Sequence, residues 1–258
     1  MNSDAHVPTW SDIAGWYDEL VQAGSGTHET ALACLVGLLP DLHGSAVLDV
    51  ACGQGLATRA LLDSGADQVI GTDSSATMVE LARKHGASAG KPISYVVDDA
   101  QNLDAFEDAS FDGATCQLAL MDIPDLPATL RAVRRVLKPA GWFVFVIGHP
   151  CFLAPNSVTL TGADGAAGVF SNGYFEERFW RSSNPNGVRR AGTYHRPLSA
   201  YLNAVLVAGF RLEAVDEPRP SALLRDQRPV YKEVPAFFAV RARREPSTSA
   251  RATAPRRT

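Results

Sequence analysis

The chain lacks the bulk features that single out a nucleic-acid or membrane partner. It has 24 Lys or Arg residues against 28 Asp or Glu residues, a formal net charge of −4, so its charge gives no reason to expect a nucleic-acid binder. It also has no apolar run as long as a membrane span, and its first residues lack the basic and apolar stretches of a signal peptide. We therefore expect a cytoplasmic protein.

Cysteine is scarce, and metal-binding spacings are lacking. The chain has four cysteines, none in Cys-x-x-Cys spacing: Cys34, Cys52, Cys116 and Cys151. This favours buried free thiols in a reducing compartment. Asp98 and Asp99 are adjacent at the end of a predicted strand, so their carboxylates point apart and form a poor bidentate site. We expect no metal.

What the sequence does contain is a glycine loop between two predicted strands. Residues 47–55 read Val-Leu-Asp-Val-Ala-Cys-Gly-Gln-Gly: an apolar run ends around Asp49, Gly53 and Gly55 expose the backbone, and a helical pattern follows. A second apolar run ends in Asp73. Strand, glycine turn, helix, strand and terminal acid are typical of a nucleotide-like ligand at the carboxyl ends of parallel strands.

The details of the loop argue against a dinucleotide. The third small position of a dinucleotide fingerprint falls on Thr58, which is bulkier than Gly or Ala. Asp49 lies in the mouth of the loop, where a carboxylate repels a phosphate and attracts a cation. The expected ligand therefore carries positive charge, together with a ribose whose hydroxyls bind Asp73.

Three further segments follow the glycine loop in order: residues 98–103 (Asp-Asp-Ala-Gln-Asn-Leu), 110–114 (Ser-Phe-Asp-Gly-Ala) and 133–142 (Val-Arg-Arg-Val-Leu-Lys-Pro-Ala-Gly-Trp). In this order the motifs resemble the class I S-adenosylmethionine (SAM)-dependent methyltransferases, in particular the small-molecule branch called type 11, over roughly Tyr17 to Arg241. One departure is Ala51, where the family usually has Gly. SAM carries a sulfonium, an ammonium and a ribose, which match the charges deduced above.

The resemblance implies a Rossmann-like, doubly wound α/β fold with a seven-stranded, mostly parallel sheet and helices on both faces. We expect lid helices in residues 1–40, a SAM-binding domain in 41–245 and a disordered tail in 246–258. Residues 149–197, after the fifth strand, show no sustained periodicity and are rich in aromatic side chains. We predict that they form a substrate cap on the ligand side of the sheet.

The resemblance also implies a set of residues that bind SAM and its product S-adenosylhomocysteine: Tyr17, Asp49, Ala51, Gly53, Gly55, Asp73, Ser74, Met78, Asp99, Ala100, Gln117 and Leu118. Asp49 is expected to face the methionine ammonium, and Asp99 and Ala100 to border the adenine. Gly53 and Gly55 are expected to let the backbone approach the ligand. Alternatives stay open for three residues: a helix cap for Asp73, and core packing for Met78 and Tyr17.

Methyl transfer from SAM needs alignment and, for a heteroatom acceptor, a group that takes a proton. Histidine suits that role near neutral pH. His149 lies at the carboxyl end of the fifth predicted strand and His195 just before the predicted helix from Leu198, and the expected fold makes both face the cleft. A loop or turn role is the alternative for each. Asp122 is a further candidate, and of the other histidines we place only His28 near the cofactor mouth.

The acceptor is expected to be a small organic molecule, with an aromatic or natural-product-like one favoured by the insertion. Its candidate contacts are Phe152, Tyr174, Phe175, Trp180, Tyr194 and Arg196. The alternative for the aromatic residues is packing of the insertion onto the domain, and the alternative for Arg196 is an ion pair with Glu217. We predict methyl transfer by in-line displacement. The alternatives are a non-methylating reaction on this fold or a SAM-binding regulator. Monomer and homodimer both stay open.

Overall fold

The computed structural model describes residues 8–163 and 165–246. Its helices are α1 (Trp10–Gln22), α2 (Gly26–Gly37), α3 (Leu56–Asp63), α4 (Ala76–Ser88), α5 (Leu126–Val136), α6 (Leu198–Val207) and α7 (Ala222–Gln227). Its strands are β1 (Ala46–Val50), β2 (Gln68–Asp73), β3 (Ser94–Val97), β4 (Phe111–Gln117), β5 (Leu137–Gly148), β6 (Val158–Thr161), β7 (Ala167–Phe170), β8 (Arg178–Trp180), β9 (Thr193–His195), β10 (Phe210–Asp216) and β11 (Phe237–Arg244).

One large sheet organises the described part of the chain. It has seven strands in the order β10-β11-β5-β4-β1-β2-β3. The strands from β1 to β5 pair in parallel, whereas β11 pairs antiparallel with both β5 and β10. The predicted Rossmann-like, doubly wound fold is confirmed.

Strand β5 shows why both faces of the sheet must be covered. Its apolar side chains alternate: Phe143 and Phe145 pack into one buried cluster, and Trp142 and Val144 into the other. Successive side chains of a strand point to opposite faces, and all four residues are at most 4% exposed. A continuous apolar run is therefore the signature of a parallel sheet with helices on both sides.

Local capping fixes where the helices begin. The Thr9 hydroxyl accepts from the amide of Asp12 while the Asp12 carboxylate accepts from the amide of Thr9, a capping box at the start of α1. Ser75 caps α4 by accepting from the amide of Met78 at 3.2 Å. The α4 start matters for the site, because it follows directly after the acid that ends β2.

The insertion after β5 contains regular structure that the sequence did not reveal. Strands β6 and β7 form one antiparallel pair, and β8 and β9 form another. The absence of a periodic pattern was therefore misleading, because these strands have only three or four residues and pair through the backbone. Helix α7, capped by Ser221, was also not predicted.

Among the described residues, no helix is long and apolar enough to cross a membrane. The predicted tail lies almost wholly outside the described residues. The predicted division into lid helices, cofactor domain and cap stays a prediction, although the elements are now placed.

Candidate active site

Two cavities meet at the carboxyl ends of the parallel strands. The smaller, about 220 Å³, lies over the glycine loop. The larger, about 790 Å³, lies between α1 and the insertion. Both are lined by the same five residues at their junction: Trp10, Tyr17, His28, Leu118 and Asp122. A ligand in one cavity therefore lies against the side chains that also contact a ligand in the other.

The glycine loop curves through left-handed backbone conformations to form the floor of the smaller cavity. The φ angles are 53° at Ala51, 54° at Gly53 and 81° at Gly55. A Cβ at Gly53 would meet no atom within 4 Å, so this residue faces the open space of the cavity. A Cβ at Gly55 would lie 2.6 Å from the Tyr95 hydroxyl. Gly55 does not line the cavity, and its lack of a Cβ makes room for Tyr95; its expected role in backbone approach to the ligand stays a prediction.

Asp49 is held by two hydroxyl groups beneath the loop. Its Oδ2 accepts from Thr58 at 2.7 Å and its Oδ1 accepts from Thr115 at 2.8 Å. Thr58, which is too large for a dinucleotide fingerprint, thus has a specific role in this loop. Burial raises the pKa of Asp49 to about 6, although both hydroxyl groups act in the opposite direction. The carboxylate is a fixed negative charge with little solvent to stabilise it.

Asp73 joins the glycine loop to the start of α4. Its Oδ2 accepts from the amide of Gly53 and its Oδ1 from the amide of Ser75, both at 2.9 Å. Burial raises the pKa of Asp73. Each oxygen keeps a second lone pair, so the observed capping role and the expected ribose contact are compatible. Ser74 lines the same cavity.

The far wall of the smaller cavity comes from the loops after β3 and β4. Asp99 accepts from the backbone and side-chain amides of Gln101, while Ala100 is buried and lines the cavity. Met78, only 2% exposed, lies on the α4 side. Leu118 has a φ of 55°, a conformation that carries strain for a side chain of this size.

The Gln117 side-chain amide lacks a hydrogen-bond acceptor among the described residues of this wall. Its Nε2 is buried and has no hydrogen-bond partner within the described residues. A buried donor without an acceptor costs free energy, which an anionic ligand group within reach of this atom would offset. The residues present fit SAM. This donor suits the carboxylate of the methionine portion, and the described lining residues include five aspartates and no Lys or Arg, which suits the two cationic groups.

Helix α1 roofs both cavities and is tied down on two sides. Ser11 and Ser75 hydroxyls lie 2.8 Å apart, and His85 Nε2 lies 2.7 Å from the Asp18 carboxylate. On the other side the Arg190 guanidinium lies 4.0 Å from the Trp16 ring centroid. The roof therefore connects α4 to the insertion.

Asp122 lies where the cavities meet, with its side chain 9% exposed. Its Oδ1 accepts from Arg189 Nη1 at 3.2 Å. Burial raises the pKa of Asp122 to about 6, against the opposing effect of Arg189. Of the three candidate catalytic groups, Asp122 alone lines these cavities.

The two candidate histidines lie elsewhere. His149 is 2% exposed; its Nε2 lies 2.7 Å from Glu217 Oε1, and its Nδ1 accepts from the amide of Cys151. His195 is 5% exposed, with its Nε2 2.8 Å from the carbonyl of Tyr174. Neither histidine lines the two main cavities. His195 instead lines a small cavity of about 20 Å³ that shares Trp180 and Arg189 with the larger one. The contacts of both histidines fit the turn and loop roles that were open alternatives, and a catalytic role for either stays a prediction.

Of the residues predicted to contact the acceptor, some line the larger cavity and others do not. Phe152 and Trp180 line the larger cavity. The others do not: Tyr174, Phe175, Tyr194 and Arg196. Phe175 is 87% exposed, and the Tyr174 hydroxyl accepts from the amide of Leu198.

Arg196 is wholly engaged by the backbone. It donates to the carbonyls of Leu120, Ile123 and Pro124 at 3.3, 2.8 and 2.6 Å. It therefore shapes the loop after β4. The alternative of an ion pair with Glu217 was wrong, because Glu217 pairs with His149; the acceptor contact stays a prediction, although Arg196 does not line the larger cavity.

Some cavity residues were missed in the sequence. Trp10, Cys52, Gln54 and Ile123 line the smaller cavity, and Arg189 lines the larger one. Cys52 and Gln54 had a signal, because they belong to the glycine loop itself. Trp10 and Arg189 had none, since their positions depend on how α1 and the insertion pack onto the sheet.

Comparison with known proteins agrees with this geometry. A family model described as a methyltransferase domain matches residues 48–145. A ubiquinone biosynthesis O-methyltransferase of Xanthomonas oryzae is 41% identical over 101 residues, which are 39% of this chain and 42% of the relative. The match thus spans less than half the length of that curated relative.

Solved structures match over nearly their whole length. An S-adenosylmethionine-dependent methyltransferase from Mesorhizobium loti is 30% identical with a TM-score of 0.70, covering 86% of this chain and 99% of that one. A putative S-adenosylmethionine-dependent methyltransferase from Listeria monocytogenes is 25% identical with a TM-score of 0.73, covering 86% and 100%.

Proposed function

The chain belongs to the class I SAM-dependent methyltransferases of the type 11-like branch, and we propose that it transfers a methyl group from SAM to a small organic acceptor in the larger cavity. The observation that carries this proposal is the shared wall between the cavities. Two ligands that meet at one wall of side chains satisfy the proximity that a displacement between them requires.

The smaller cavity holds the groups that would bind the cofactor. Asp49 would face its ammonium, Asp73 its ribose hydroxyls and Gln117 its carboxylate, with Asp99 and Ala100 beside the adenine. When bound, SAM supplies a methyl group activated by a positively charged sulfur and a neutral leaving group. The protein therefore mainly has to orient the two partners and exclude water.

Asp122 is the group that we propose takes the acceptor's proton. With a pKa of about 6 it is ionised at neutral pH, and its pKa is closer to the working pH than that of an exposed carboxyl, which favours proton transfer. Arg189 holds its Oδ1, and Asp122 lines both cavities. Asp122 replaces the histidines in this role because it alone of the three faces the junction.

The acceptor is proposed to be aromatic. Besides Trp10 and Tyr17 at the junction, the larger cavity is lined by further rings: Trp16, Phe152, Trp180, Tyr231 and Phe237. Aromatic walls bury flat apolar groups and orient them by ring stacking. The curated relatives are named as O-methyltransferases, so phenolic oxygen is the first acceptor atom to test.

The test is a methyl-acceptance screen with the purified protein. Phenols of different sizes are incubated with SAM, and mass spectrometry follows both the methylated product and S-adenosylhomocysteine. We expect both products together, and at least tenfold slower formation of both with Asp122→Asn. If SAM binds in calorimetry but no acceptor is methylated, the result supports a non-methylating or regulatory role. If SAM does not bind, the proposal fails.

A further inference from the structure

We propose that the acceptor is an aromatic anion, bound through a carboxylate or phosphate group by Arg181 and Arg228. This inference rests on the proposed function, because it assigns the acceptor to the larger cavity. Its basis is a difference in charge between the two cavities and three donor groups that have no partner.

The cavities carry opposite charge. Five aspartates line the cofactor cavity, without a Lys or Arg among its described lining residues. The larger cavity is lined by Arg181, Arg189 and Arg228, and its one carboxylate is Asp122 at the junction. His28 adds no charge near neutral pH, because burial lowers its pKa to about 4. The larger cavity is thus positively charged beyond the junction.

Two of the three arginines, Arg181 and Arg228, are exposed. Arg189 is engaged by Asp122 and by the Thr193 hydroxyl. Within the described residues, the side chains of Arg181 and Arg228 have no ion pair or hydrogen bond, and Arg181 lies only against the Phe179 ring, 5.9 Å from its centroid. A guanidinium group binds carboxylate and phosphate oxygens with paired hydrogen bonds.

A third donor belongs to another residue that lines this cavity. The Trp180 Nε1 is buried and has no hydrogen-bond partner within the described residues, and Trp180 lines the larger cavity. An indole N–H is a donor only, so it needs an acceptor oxygen. The anionic group of a ligand supplies one, while the rings of the cavity hold the aromatic part.

The charge difference also suits the proposed reaction. An anion in the positive cavity is drawn toward a cationic ligand in the negative cavity, and each ligand is disfavoured in the other's place. The arrangement therefore sorts two ligands of opposite charge into adjacent sites.

The experiment compares matched probes. Mono-, bi- and tricyclic aromatic carboxylates, the corresponding aryl phosphates and the uncharged carboxamides are titrated into the full chain with S-adenosylhomocysteine present, and calorimetry reports their affinities. We expect at least one anion to bind roughly tenfold more tightly than its carboxamide, as for a hydrogen bond to a charged group. The better of the two anion types identifies the anionic group.

Variants connect the preference to the proposed residues. In the double variant Arg181→Gln/Arg228→Gln, the ratio of anion to carboxamide affinity should fall to about one. The control is Arg178→Gln, since Arg178 lies on the same hairpin but pairs with Glu176 and does not line the cavity. It should keep the wild-type ratio.

The outcomes separate the two proposals. If no anion binds more tightly than its carboxamide, or if the preference survives in the double variant, the inference is overturned. Methylation of an uncharged phenol would then leave the proposed function intact. Failure of S-adenosylhomocysteine to bind in the same titrations would instead overturn the proposed function.

Discussion

The Tyr17 hydroxyl and the His28 Nε2 lie 2.8 Å apart, in a hydrogen bond that joins α1 to α2 at the junction of the two cavities. The other ring nitrogen of His28 lies 2.8 Å from the Ser25 hydroxyl. Burial raises the pKa of Tyr17 and lowers that of His28, so both groups are neutral at neutral pH. The pair fixes the roof helix by neutral hydrogen bonds.

Replacing Tyr17 with Phe should loosen this roof. The variant leaves the His28 Nε2 without its partner in a buried setting, so the free energy of unfolding should fall by about 1–2 kcal/mol. SAM affinity should fall several-fold, because Tyr17 lines the cofactor cavity. Chemical denaturation and calorimetry measure the two effects. The control is Tyr231→Phe, whose hydroxyl has no hydrogen bond within the described residues; equal losses in both variants would contradict this role.

Asp49 should make the protein's stability and its cofactor affinity respond oppositely to pH. Its pKa is raised from 3.8 to about 6 in the fold, so the folded state binds the proton more tightly. The free energy of unfolding contributed by this group therefore falls as pH rises from about 4 to about 6. SAM binding should strengthen over the same range, as the carboxylate that faces the cation ionises.

The variant Asp49→Asn separates these effects. Without ligand it should be more stable than wild type at pH 7, by roughly 1–3 kcal/mol, with the difference shrinking toward pH 4. Its SAM affinity should be lower and less dependent on pH. Thermal unfolding and calorimetry at several pH values test this, and an unchanged affinity at pH 7 would rule out the cation contact.

Asp73→Asn should weaken binding through the ribose. The variant keeps one acceptor oxygen for the loop but loses a charged one, so affinity for S-adenosylhomocysteine should fall about tenfold. An analogue without the ribose hydroxyls should bind wild type and variant equally. Competition calorimetry measures both ligands. Equal losses for both would show that Asp73 acts only by holding Gly53 and Ser75.

Ala51→Gly should relieve strain in the glycine loop. A non-glycine residue at a φ of 53° is disfavoured, and the gain is partly offset by the greater freedom of glycine in the unfolded chain. We expect a net stabilisation of about 0.5–1 kcal/mol by denaturant unfolding. The control is Ala140→Gly, at a φ of 61° outside the cavities. It should gain a similar amount of stability without a change in SAM affinity. A loss of stability in Ala51→Gly would show that the loop conformation differs.

Asp122→Asn and His195→Asn should differ in their effects on turnover. The first should lower kcat at least tenfold and remove the fall in rate below about pH 6, while SAM affinity changes little. The second should cost stability, because it breaks the contact with the Tyr174 carbonyl, but should keep the pH profile. Steady-state rates measured from pH 5 to 9 distinguish the two residues. If the fall in rate at low pH disappears in His195→Asn but not in Asp122→Asn, the histidine is the base.

The sequence predicted the sheet well because its signals are local. Strands β1, β2 and β5 are short apolar runs, and residues such as Asp49 and Asp73 mark their ends. The order of the motifs, through the family resemblance, predicted the rest of the fold and a set of cofactor-binding residues. The structure brings all of that set except Gly55 around one cavity, although the binding roles themselves stay predictions.

The catalytic side could not be predicted in the same way. His195 and His149 were chosen for the chemistry of their side chains, but their partners are 21 and 68 residues away in the sequence. Arg196 is engaged by carbonyls more than 70 residues away. No periodic pattern encodes such contacts, and the insertion's short strands place them only when the whole chain is folded.

The contacts that fasten α1 over the junction have a kinetic consequence. In the proposed reaction the product would lie beneath a helix held by Ser11 and Asp18 on one side and by Trp16 on the other, so we expect these attachments to loosen when product leaves and SAM enters. We therefore expect exchange of the nucleoside beneath this helix, rather than the displacement itself, to limit turnover.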